Sequence, residues 1–362
     1  MKIKIQYSDF IKTLTERQNK DIKDYNLVIK LQQQKYSKKE IKDKTKVSED
    51  KLHQWRNTDI KPSAVKILNE TKSRGYFDYV SKENIEPLAY IIGYNLGDGN
   101  ISRNLCNSWF YGVNKDLEDI KKLLIEFKVN PVIYTYKINN GKMAVHDRVF
   151  SRFLVSLGSV IGDKTKSKIR IPDWVLATKK ASPIKKRFLQ GLFDSELSNI
   201  SKIKNKPNSY QSLKFYTSKH KNYLNEGKIF LDQIRTIIEE FGVTTTEVKE
   251  DRKYLRKRDG SSMQQLYFII HSNRINLYKF IKKLGFLYNS KRRENSIQVL
   301  KDIEKETKNE LDKLEKYEKA ILLRKEGLSA YKIAKELKTE VYHIKNWIYF
   351  NRKPRLYGTS KN

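Results

Sequence analysis

Residues Leu88 to Gly99 read Leu-Ala-Tyr-Ile-Ile-Gly-Tyr-Asn-Leu-Gly-Asp-Gly, and residues Phe188 to Glu196 read Phe-Leu-Gln-Gly-Leu-Phe-Asp-Ser-Glu. Each stretch predicts a helix that runs through glycine to an acid at its end, Asp98 in the first and Glu196 in the second. The first stretch has no charged residue before Asp98, so we expect its helix to be buried on nearly all sides at the centre of the molecule.

Small residues recur every fourth position in both stretches, at Ala89, Gly93 and Gly97 in the first and at Gly191 and Ser195 in the second. This spacing places them on one face of each helix. Glycine costs about 1 kcal/mol relative to alanine inside a helix, so a ridge of small residues needs a reason. We therefore predict that the two helices pack against each other with their backbones in close contact.

Such packing places both acids near each other at the carboxyl ends of the two helices. The helix dipole and their mutual repulsion disfavour two carboxylates there, and bound cations are the natural compensation. We predict a site for Mg²⁺, with Mn²⁺ as a substitute, at Asp98, Glu196, Gly97 and Ser195. The alternative is that Asp98-Gly99 is only a turn and Glu196 only a surface residue.

The charge of the chain favours a polyanionic partner. Lys and Arg number 75 against 42 Asp and Glu, a net charge of +33 that is spread along nearly the whole length. Double-stranded DNA is the expected partner, although part of the lysine excess could be a solvated surface. A single cysteine excludes a disulfide framework, and no apolar run approaches the roughly 20 residues of a membrane span. We expect no membrane contact and no secretion, and a location in a prokaryotic cytoplasm with the nucleoid, or in an organellar matrix.

The two ends of the chain repeat each other. Trp55 and Trp347 lie 292 residues apart, and at the same offset Ser37 matches Ser329 and Lys61-Pro62 matches Lys353-Pro354. Each copy predicts a helix (Leu27 to Gln34; Ala320 to Lys325), a turn, a helix capped by the serine, and a further helix ending near the tryptophan. This order is typical of helix-turn-helix DNA-binding units, although a three-helix unit can also be a packing module. The candidate DNA-contacting residues are Lys51, Gln54, Lys345, Asn346, Arg352, Lys353 and Arg355.

A second duplication lies between the ends. Each half predicts the order αββαββα, with helices at 116–127, 149–157, 223–241 and 273–284 and hairpin turns near Asn139-Asn-Gly141 and Asp259-Gly260. The expected strands include Ile101–Asn104 and Trp109–Val113 in the first half, and one near Ile200 and one at Leu213–Tyr216 in the second. The predicted fold class is α+β: a pseudo-twofold pair of half-saddles flanked by small all-α helix-turn-helix domains, in a chain that we expect to be a monomer. The predicted domains are residues 1–75, 80–180, 181–300 and 301–362, the last beginning with a helical linker.

With these two stretches the chain resembles the LAGLIDADG homing endonucleases in their single-chain form with two motifs. Ile92-Gly-Tyr-Asn-Leu-Gly-Asp98-Gly99 is similar to the first motif, and Leu189-Gln-Gly-Leu-Phe-Asp-Ser-Glu196 is similar to the second. The resemblance covers about residues 80 to 300. In the second motif Leu197 follows the acid where the family usually has glycine, so we expect the two helix exits to differ.

The resemblance implies a site-specific endonuclease that hydrolyses one phosphodiester in each DNA strand. Asp98 and Glu196 would hold divalent ions, and a basic residue of each half, Lys164 and Lys291, would lie near the scissile phosphate. Two other functions remain open: a transcriptional regulator that binds DNA without cutting it, and an RNA intron maturase. The chain begins with Met1 and ends Ser360-Lys-Asn362, without the terminal residues of a self-splicing element, so we expect a freestanding protein.

Overall fold

The computed structural model describes residues 7–58, 60–77, 85–137, 139–204, 206 and 209–354. Within these ranges the chain forms fifteen α-helices and seven strands in two separate antiparallel sheets. The predicted α+β fold class is therefore confirmed. None of the described helices is both long enough and apolar enough to cross a bilayer.

Five helices precede the first glycine stretch: α1 (Tyr7–Ile11), α2 (Glu16–Gln33), α3 (Lys38–Thr45), α4 (Glu49–Asn57) and α5 (Ser63–Ser73). The first half then comprises α6 (Ile85–Leu96), β1 (Gly99–Ile101), β2 (Ser108–Val113), α7 (Asn114–Ile125), β3 (Pro131–Lys137), β4 (Asn140–Val145) and α8 (Arg148–Ser156). This is the predicted αββαββα order. The strands lie in the order β1-β2-β4-β3, and Asn139 adopts a positive φ of 69° in the turn between β3 and β4.

The second half follows the short helix α9 (Asp173–Leu176). It comprises α10 (Pro183–Glu196), β5 (Leu213–His220), α11 (Leu224–Glu240), β6 (Lys249–Leu255), β7 (Ser262–Ile270) and α12 (Arg274–Lys283). The chain ends with α13 (Ser290–Lys325), α14 (Ala330–Glu336) and α15 (Val341–Ile348).

The strand predicted near Ile200 is wrong. Among the described residues the second sheet has three strands in the order β5-β7-β6, and Leu197 contributes only an isolated bridge to Phe215. The following segment pairs with itself instead: the backbone N–H of Gln211 donates to Ser201 at 2.8 Å, and that of Ile203 to Ser209 at 2.9 Å. Because these donors are satisfied locally, the segment does not run along β5, and the described second half reads αβαββα.

Helices α6 and α10 pack backbone to backbone, as their small residues predict. A Cβ built on Gly93 would fall on the carbonyl group of Phe188 in α10, and one built on Gly97 would fall on the side chain of Ser195. In the opposite direction, a Cβ on Gly191 would lie 2.7 Å from the backbone nitrogen of Tyr94. The glycines are therefore required by the close approach of the two helices, which places the ends of both helices side by side.

Each terminal repeat has a small hydrophobic core of its own. The N-terminal core contains Val28, Leu31, Ile41, Val47, Leu52 and Trp55, and the C-terminal core contains Ala320, Ala330, Ile333, Ala334, Ile344 and Trp347. Four members of the first core recur in the second at the same offset of 292 residues. Ser37 and Ser329 cap α3 and α14, as predicted. The helix before each serine is longer than predicted, because α2 starts at the capping box of Thr15 and α13 starts at Asn289.

Helix α13 runs without interruption for 36 residues from the centre of the molecule to the C-terminal core. Side chains of the second half hold the middle of α13 through ion pairs and a hydrogen bond. Arg274 pairs with Glu310 at 2.6 Å, and Glu306 accepts from Lys202 at 2.8 Å and from the hydroxyl of Tyr210 at 3.1 Å. The predicted linker is thus a helix that packs on the second half over part of its length.

Candidate active centre

The two acids of the glycine stretches lie at the ends of the packed helices and are half-buried. Asp98 follows α6 by two residues, and Glu196 is the last residue of α10. Burial raises the pKa of the Asp98 carboxyl above its ordinary value. Burial and, after it, the negative charge of Asp98 raise the pKa of Glu196 to about 7. The pair therefore carries an electrostatic cost that a positive charge relieves.

Two basic side chains cover the carbonyl groups at these helix ends. Lys164 Nζ donates to the carbonyl oxygens of Asn95 at 3.2 Å and Leu96 at 3.0 Å, and also to that of Gly97. Arg292 Nη1 donates to those of Phe193 at 2.9 Å, Asp194 at 2.6 Å and Ser195 at 3.3 Å. The last carbonyls of a helix have no partner within it, so each cation satisfies them and opposes the negative end of the dipole.

The same two cations face the acids. Their charges act to lower the pKa of both Asp98 and Glu196 against the larger effect of burial. Burial in turn lowers the pKa of Lys164 to about 8, while the two carboxylates oppose that change. Asp98, Glu196, Lys164 and Arg292 therefore form one electrostatically coupled cluster, with two acids and two bases.

A cavity opens on each side of the packed helices. The first, of about 300 Å³, is lined by Asp98, Ser195 and Arg292 together with Tyr111 of β2. The second, of about 280 Å³, is lined by Glu196, Gly97 and Lys164 together with Tyr216 of β5. Each cavity therefore combines the acid of one half with the basic residue of the other half.

The structure does not bring Lys291 into this cluster. Its side chain is exposed, and the neighbouring Arg292 takes the position beside α10. The phase of α13 decides between them: Asn289 caps the helix by accepting from the N–H of Arg292 at 3.1 Å, which turns residue 292 inward and residue 291 outward. The asparagine is the signal in the sequence that could have selected Arg292.

Asp194 is a further residue that sequence reasoning missed. Its buried carboxylate accepts from the backbone N–H groups of Leu287 at 3.1 Å and Tyr288 at 2.7 Å and from the hydroxyl of Tyr90 at 2.8 Å. Burial raises the pKa of Asp194 to about 6 against these hydrogen bonds. The carboxylate joins α6, α10 and the segment that leads into α13, and so it fixes the position from which Arg292 approaches.

The two helix exits differ as expected, but Leu197 does not distort the second. It is fully buried and extended, with φ −72° and ψ 139°, a conformation open to any residue. Gly99 is required at the first exit for a different reason, since a Cβ there would lie 2.5 Å from the Cα of Asn95. The leucine therefore fills the core after α10 in a place where no glycine is needed.

The oxygen atoms of the centre suit a hard divalent cation. Among the described residues no group of three or more Asp, Glu, His or Cys side chains is placed to hold a metal, so Asp98 and Glu196 would need other ligands. The carbonyl oxygens of Gly97 and Ser195 lie at the same helix ends. Each accepts from a cation, and a carbonyl oxygen has a second lone pair. This donor set of carboxylates and carbonyls is the one that Mg²⁺ and Mn²⁺ prefer.

The predicted DNA-contacting residues of the C-terminal repeat are mostly exposed. Lys345 lies on the outer face of α15 with its Nζ 5.3 Å from the ring centre of Tyr331, and Arg352 and Lys353 follow the helix. Asn346 is half-buried, and its side chain contacts Tyr342 and Arg352. Arg355 lies outside the described residues. The exposed aromatic residues around this face are Tyr331, Tyr342, Tyr349 and Phe350.

The N-terminal repeat presents a different surface at the same positions. Lys51 is held in an ion pair with Asp21 at 2.7 Å, whereas Gln54 is exposed. Helix α4 opens with Glu49 and Asp50, and Asp50 stands where the C-terminal repeat has Tyr342. Acids at this end of the helix oppose an approaching phosphate, so the two repeats share a core but not a charge pattern.

No family model matches the chain. Among curated proteins, the DNA-directed RNA polymerase subunit Rpo1N of Methanocaldococcus jannaschii is 32% identical over 247 residues, which are 63% of this chain and 18% of that protein. The tRNA-splicing ligase RtcB of Pyrococcus furiosus is 28% identical over 232 residues, 59% of this chain and 22% of that protein. The Replication factor C small subunit of M. jannaschii is 24% identical over 275 residues, 70% of this chain and 14% of that protein. The chain thus spans about a fifth of the length of the curated relatives it matches.

The chain is also similar to solved structures of homing endonucleases and of WhiA. Mesophilic variants of the homing endonuclease I-DmoI match with a TM-score of 0.34 and 13% identity over 56% of this chain and 92% of theirs. Full-length DUF199/WhiA from Thermatoga maritima matches with a TM-score of 0.35 and 12% identity over 77% of this chain and 94% of its own. The meganuclease I-SmaMI bound to uncleaveable DNA matches with a TM-score of 0.35 and 12% identity over 59% of this chain and 89% of its own.

Proposed function

We propose that this chain is a site-specific, metal-dependent DNA endonuclease of the homing type, which hydrolyses one phosphodiester in each strand. The observation that carries the proposal is the pair of cavities beside α6 and α10, each lined by one acid and by one base of the other half. Two such centres joined by packed helices suit two scissile phosphates. The net charge of +33 supports a nucleic acid as the partner.

The residues of the centre have distinct roles in this proposal. Asp98 and Glu196, with the carbonyls of Gly97 and Ser195, would hold Mg²⁺ or Mn²⁺. A bound ion supplies Lewis-acid stabilisation of the leaving oxygen and a water of lowered pKa. Lys164 and Arg292 place a positive charge in each cavity, where it offsets the charge that develops on a phosphate in the transition state.

The named activities of the curated relatives do not support a polymerase, ligase or replication-factor role for this chain. Each of those proteins is several times longer than the segment it shares with this chain, and their names differ from one another. A segment that occurs in proteins with different named activities does not explain the activity of any one of them.

One observation favours a second candidate, a DNA-binding regulator that does not cut. Lys164 and Arg292 already donate to the carbonyl oxygens of Gly97 and Ser195, so two side-chain cations occupy positions next to those assigned to metal. Such a centre could be stable with no ion at all.

Selection of cleaved products from a randomised or native-locus DNA library in Mg²⁺ distinguishes the two candidates. The proposal expects specific cutting by the wild-type chain and none without divalent metal. Specific binding without cutting would leave the regulator as the function.

Replacing Arg292 is expected to damage cleavage far more than replacing Lys291. Arg292→Ala removes the positively charged side chain that donates to the carbonyls at the end of α10, and should slow single-turnover cleavage about 100-fold. Lys291→Ala removes an exposed charge next to it in sequence and should change the rate by no more than about twofold. Equal losses in the two variants would contradict the assignment of Arg292.

DNA affinity is expected to depend on the C-terminal repeat more than on the N-terminal one. Lys345→Ala should weaken binding uniformly across sequences and reduce the slope of log affinity against log salt by about 1. Lys51→Ala should leave that slope unchanged, because the Lys51 charge is already paired with Asp21. Fluorescence anisotropy over a range of salt concentrations measures both slopes, and a larger change for Lys51→Ala would reverse the assignment.

A further inference from the structure

The segment that carries Lys164 belongs to the first half but is held by the second. We call residues Asp163–Ser167 the lysine loop; its middle is a 3₁₀ turn at Lys164–Lys166. Its partner is the β6–β7 hairpin, whose turn lies at residues 256–261. Arg256 Nη1 donates to Asp163 Oδ2 at 2.9 Å and to Thr165 Oγ1 at 3.0 Å.

Two further ion pairs join the same elements. Arg258 Nη2 lies 3.0 Å from Asp163 Oδ2, and Lys166 Nζ lies 3.0 Å from Asp259 Oδ2. Asp259 also pairs with Arg256, so the two sides of the contact share one network. Burial acts to raise the pKa of Asp163, but the hydrogen bonds of Thr165 and Arg256 together keep it below its ordinary value, as expected of a carboxylate that stays charged in this network.

A buried lysine on β5 also holds the backbone of the lysine loop. Lys219 on β5 is fully buried, and its Nζ donates to the carbonyl oxygens of Lys164 at 2.7 Å and Ser167 at 3.0 Å. A buried cation is costly unless its donors are used, and here they fix the backbone at both ends of the 3₁₀ turn. The second half thus holds the loop through β5 as well as through the β6–β7 hairpin.

The other basic residue of the centre is held differently. Arg292 lies in the first turn of α13, where Asn289 caps the helix and the N–H of Ser290 donates to Asp116 at 3.1 Å. The turn between β3 and β4 contacts its own half, since the carbonyl oxygen of Asn139 accepts from the N–H of Asn114 at 3.0 Å, and in the described part of the chain it makes no hydrogen bond to Arg292. Of these two basic residues, Lys164 is therefore the one whose loop is held by a hairpin among the residues that the structure describes.

The β6–β7 hairpin is also well placed to bind phosphate. Residues 249–259 include six basic and three acidic residues, and every one of them except Arg256 is exposed. The side chain of Arg258 is 69% exposed, so it can exchange Asp163 for a phosphate at little cost, whereas that of Arg256 is only 16% exposed and stays with the loop. Contact with a nucleic-acid backbone would thus act on the same residues that hold the lysine loop.

We propose that the β6–β7 hairpin positions Lys164, so that contact of this hairpin with the DNA backbone controls the cavity of Glu196 and Lys164 more strongly than that of Asp98 and Arg292. The inference rests on the proposed function and adds that cleavage of the two DNA strands is controlled unequally. Arg256 is in this view a positioning residue that acts through the lysine loop.

Strand-resolved cleavage of a target duplex with a different label on each strand tests the proposal. Arg256→Ala should slow cutting of one strand about 10- to 100-fold and slow the other much less, so that nicked duplex accumulates. The matched control is Arg235→Ala in α11, since Arg235 pairs with Asp232 at 2.7 Å, bonds Thr245, and is 18% exposed against 16% for Arg256. Equal slowing of both strands by Arg256→Ala, or nicking by the control, would overturn the proposal.

Hydrogen exchange provides a readout that does not depend on cleavage. In the full chain without DNA, Arg256→Ala should speed amide exchange in residues 163–167 while Arg235→Ala leaves it unchanged. A target duplex should slow this exchange in wild type and in Arg235→Ala, but not in Arg256→Ala. Unchanged exchange in Arg256→Ala would refute the positioning role. Failure of the wild-type chain to cut or bind any DNA would instead refute the proposed function, and the exchange difference without DNA would still decide whether the hairpin holds the loop.

Discussion

Gly191→Ala is expected to destabilise the protein severely, although the same change inside an ordinary helix stabilises by about 1 kcal/mol. The new methyl group would fall on the carbonyl oxygen of Tyr90 and lie 2.7 Å from the backbone nitrogen of Tyr94. Both obstacles are backbone atoms of a buried helix, which cannot move aside as a side chain can. We expect a loss of about 3 kcal/mol or more in the free energy of unfolding, the upper range for overpacking.

Thermal and urea denaturation measure this loss, and Gly93→Ala, which meets Phe188 from the other side, should behave in the same way. Gly75→Asn is the control, because Gly75 has a positive φ of 74° that asparagine tolerates and nothing within 4 Å of a new Cβ. A Gly191→Ala protein as stable as the control would mean that α6 and α10 do not approach as closely as described.

Asp98→Asn and Glu196→Gln are expected to abolish cleavage and yet to stabilise the metal-free protein at pH 8. In the proposed function each removes a carboxylate that would hold metal, so single-turnover rates should fall about 10³-fold or more, in keeping with the loss of a principal electrostatic contribution. The raised pKa of Glu196, about 7, means that the folded state holds a proton more tightly than the unfolded state. The contribution of Glu196 to the free energy of unfolding therefore decreases as the pH rises through 7. The uncharged amide of Glu196→Gln does not titrate, so the variant does not lose this stability.

Cleavage assays in Mg²⁺ and denaturation in EDTA at pH 5 and pH 8 test the two halves of this expectation. The stability gain should be present at pH 8 and largely absent at pH 5, where the wild-type Glu196 is already protonated in the folded state. Asp119→Asn, which alters an exposed acid paired with Lys122, should change neither property. If both amide variants cut DNA at the wild-type rate, the acids are not the metal ligands.

Local sequence signals predicted much of the fold because their physical causes are local. The ridge of Gly93 and Gly97 anticipated the contact with α10, since glycine inside a helix is costly without such a contact. Ser37 and Ser329 located helix starts because a serine hydroxyl satisfies free N–H groups within its own turn. These effects act over three or four residues and can be read from one segment.

The features that sequence reasoning missed depend on residues far apart in the chain. Arg256 and Asp163 are 93 positions apart, and no local pattern relates them. Lys219 is buried because two carbonyls of another element reach it, while its sequence alone indicates an exposed lysine on a strand. Lys51 is paired with Asp21 across two helices of the N-terminal repeat. The choice between Lys291 and Arg292 is the exception, because Asn289 sets the phase of α13 only three residues before Arg292.

The length of the uninterrupted helix α13 sets the distance between the active centre and the C-terminal repeat. Thirty-six residues at 1.5 Å each make a rod of about 54 Å, or roughly one and a half turns of a DNA duplex. Its first turn carries Arg292, and Ala320, in its last two turns, belongs to the C-terminal core. Each residue added to or removed from the exposed part would shift the terminal unit by about 1.5 Å and rotate it by about 100°. The distance of the C-terminal repeat from the active centre and its rotation about the axis of α13 therefore change together. If α15 is to keep its orientation, that distance can change only by whole helical turns.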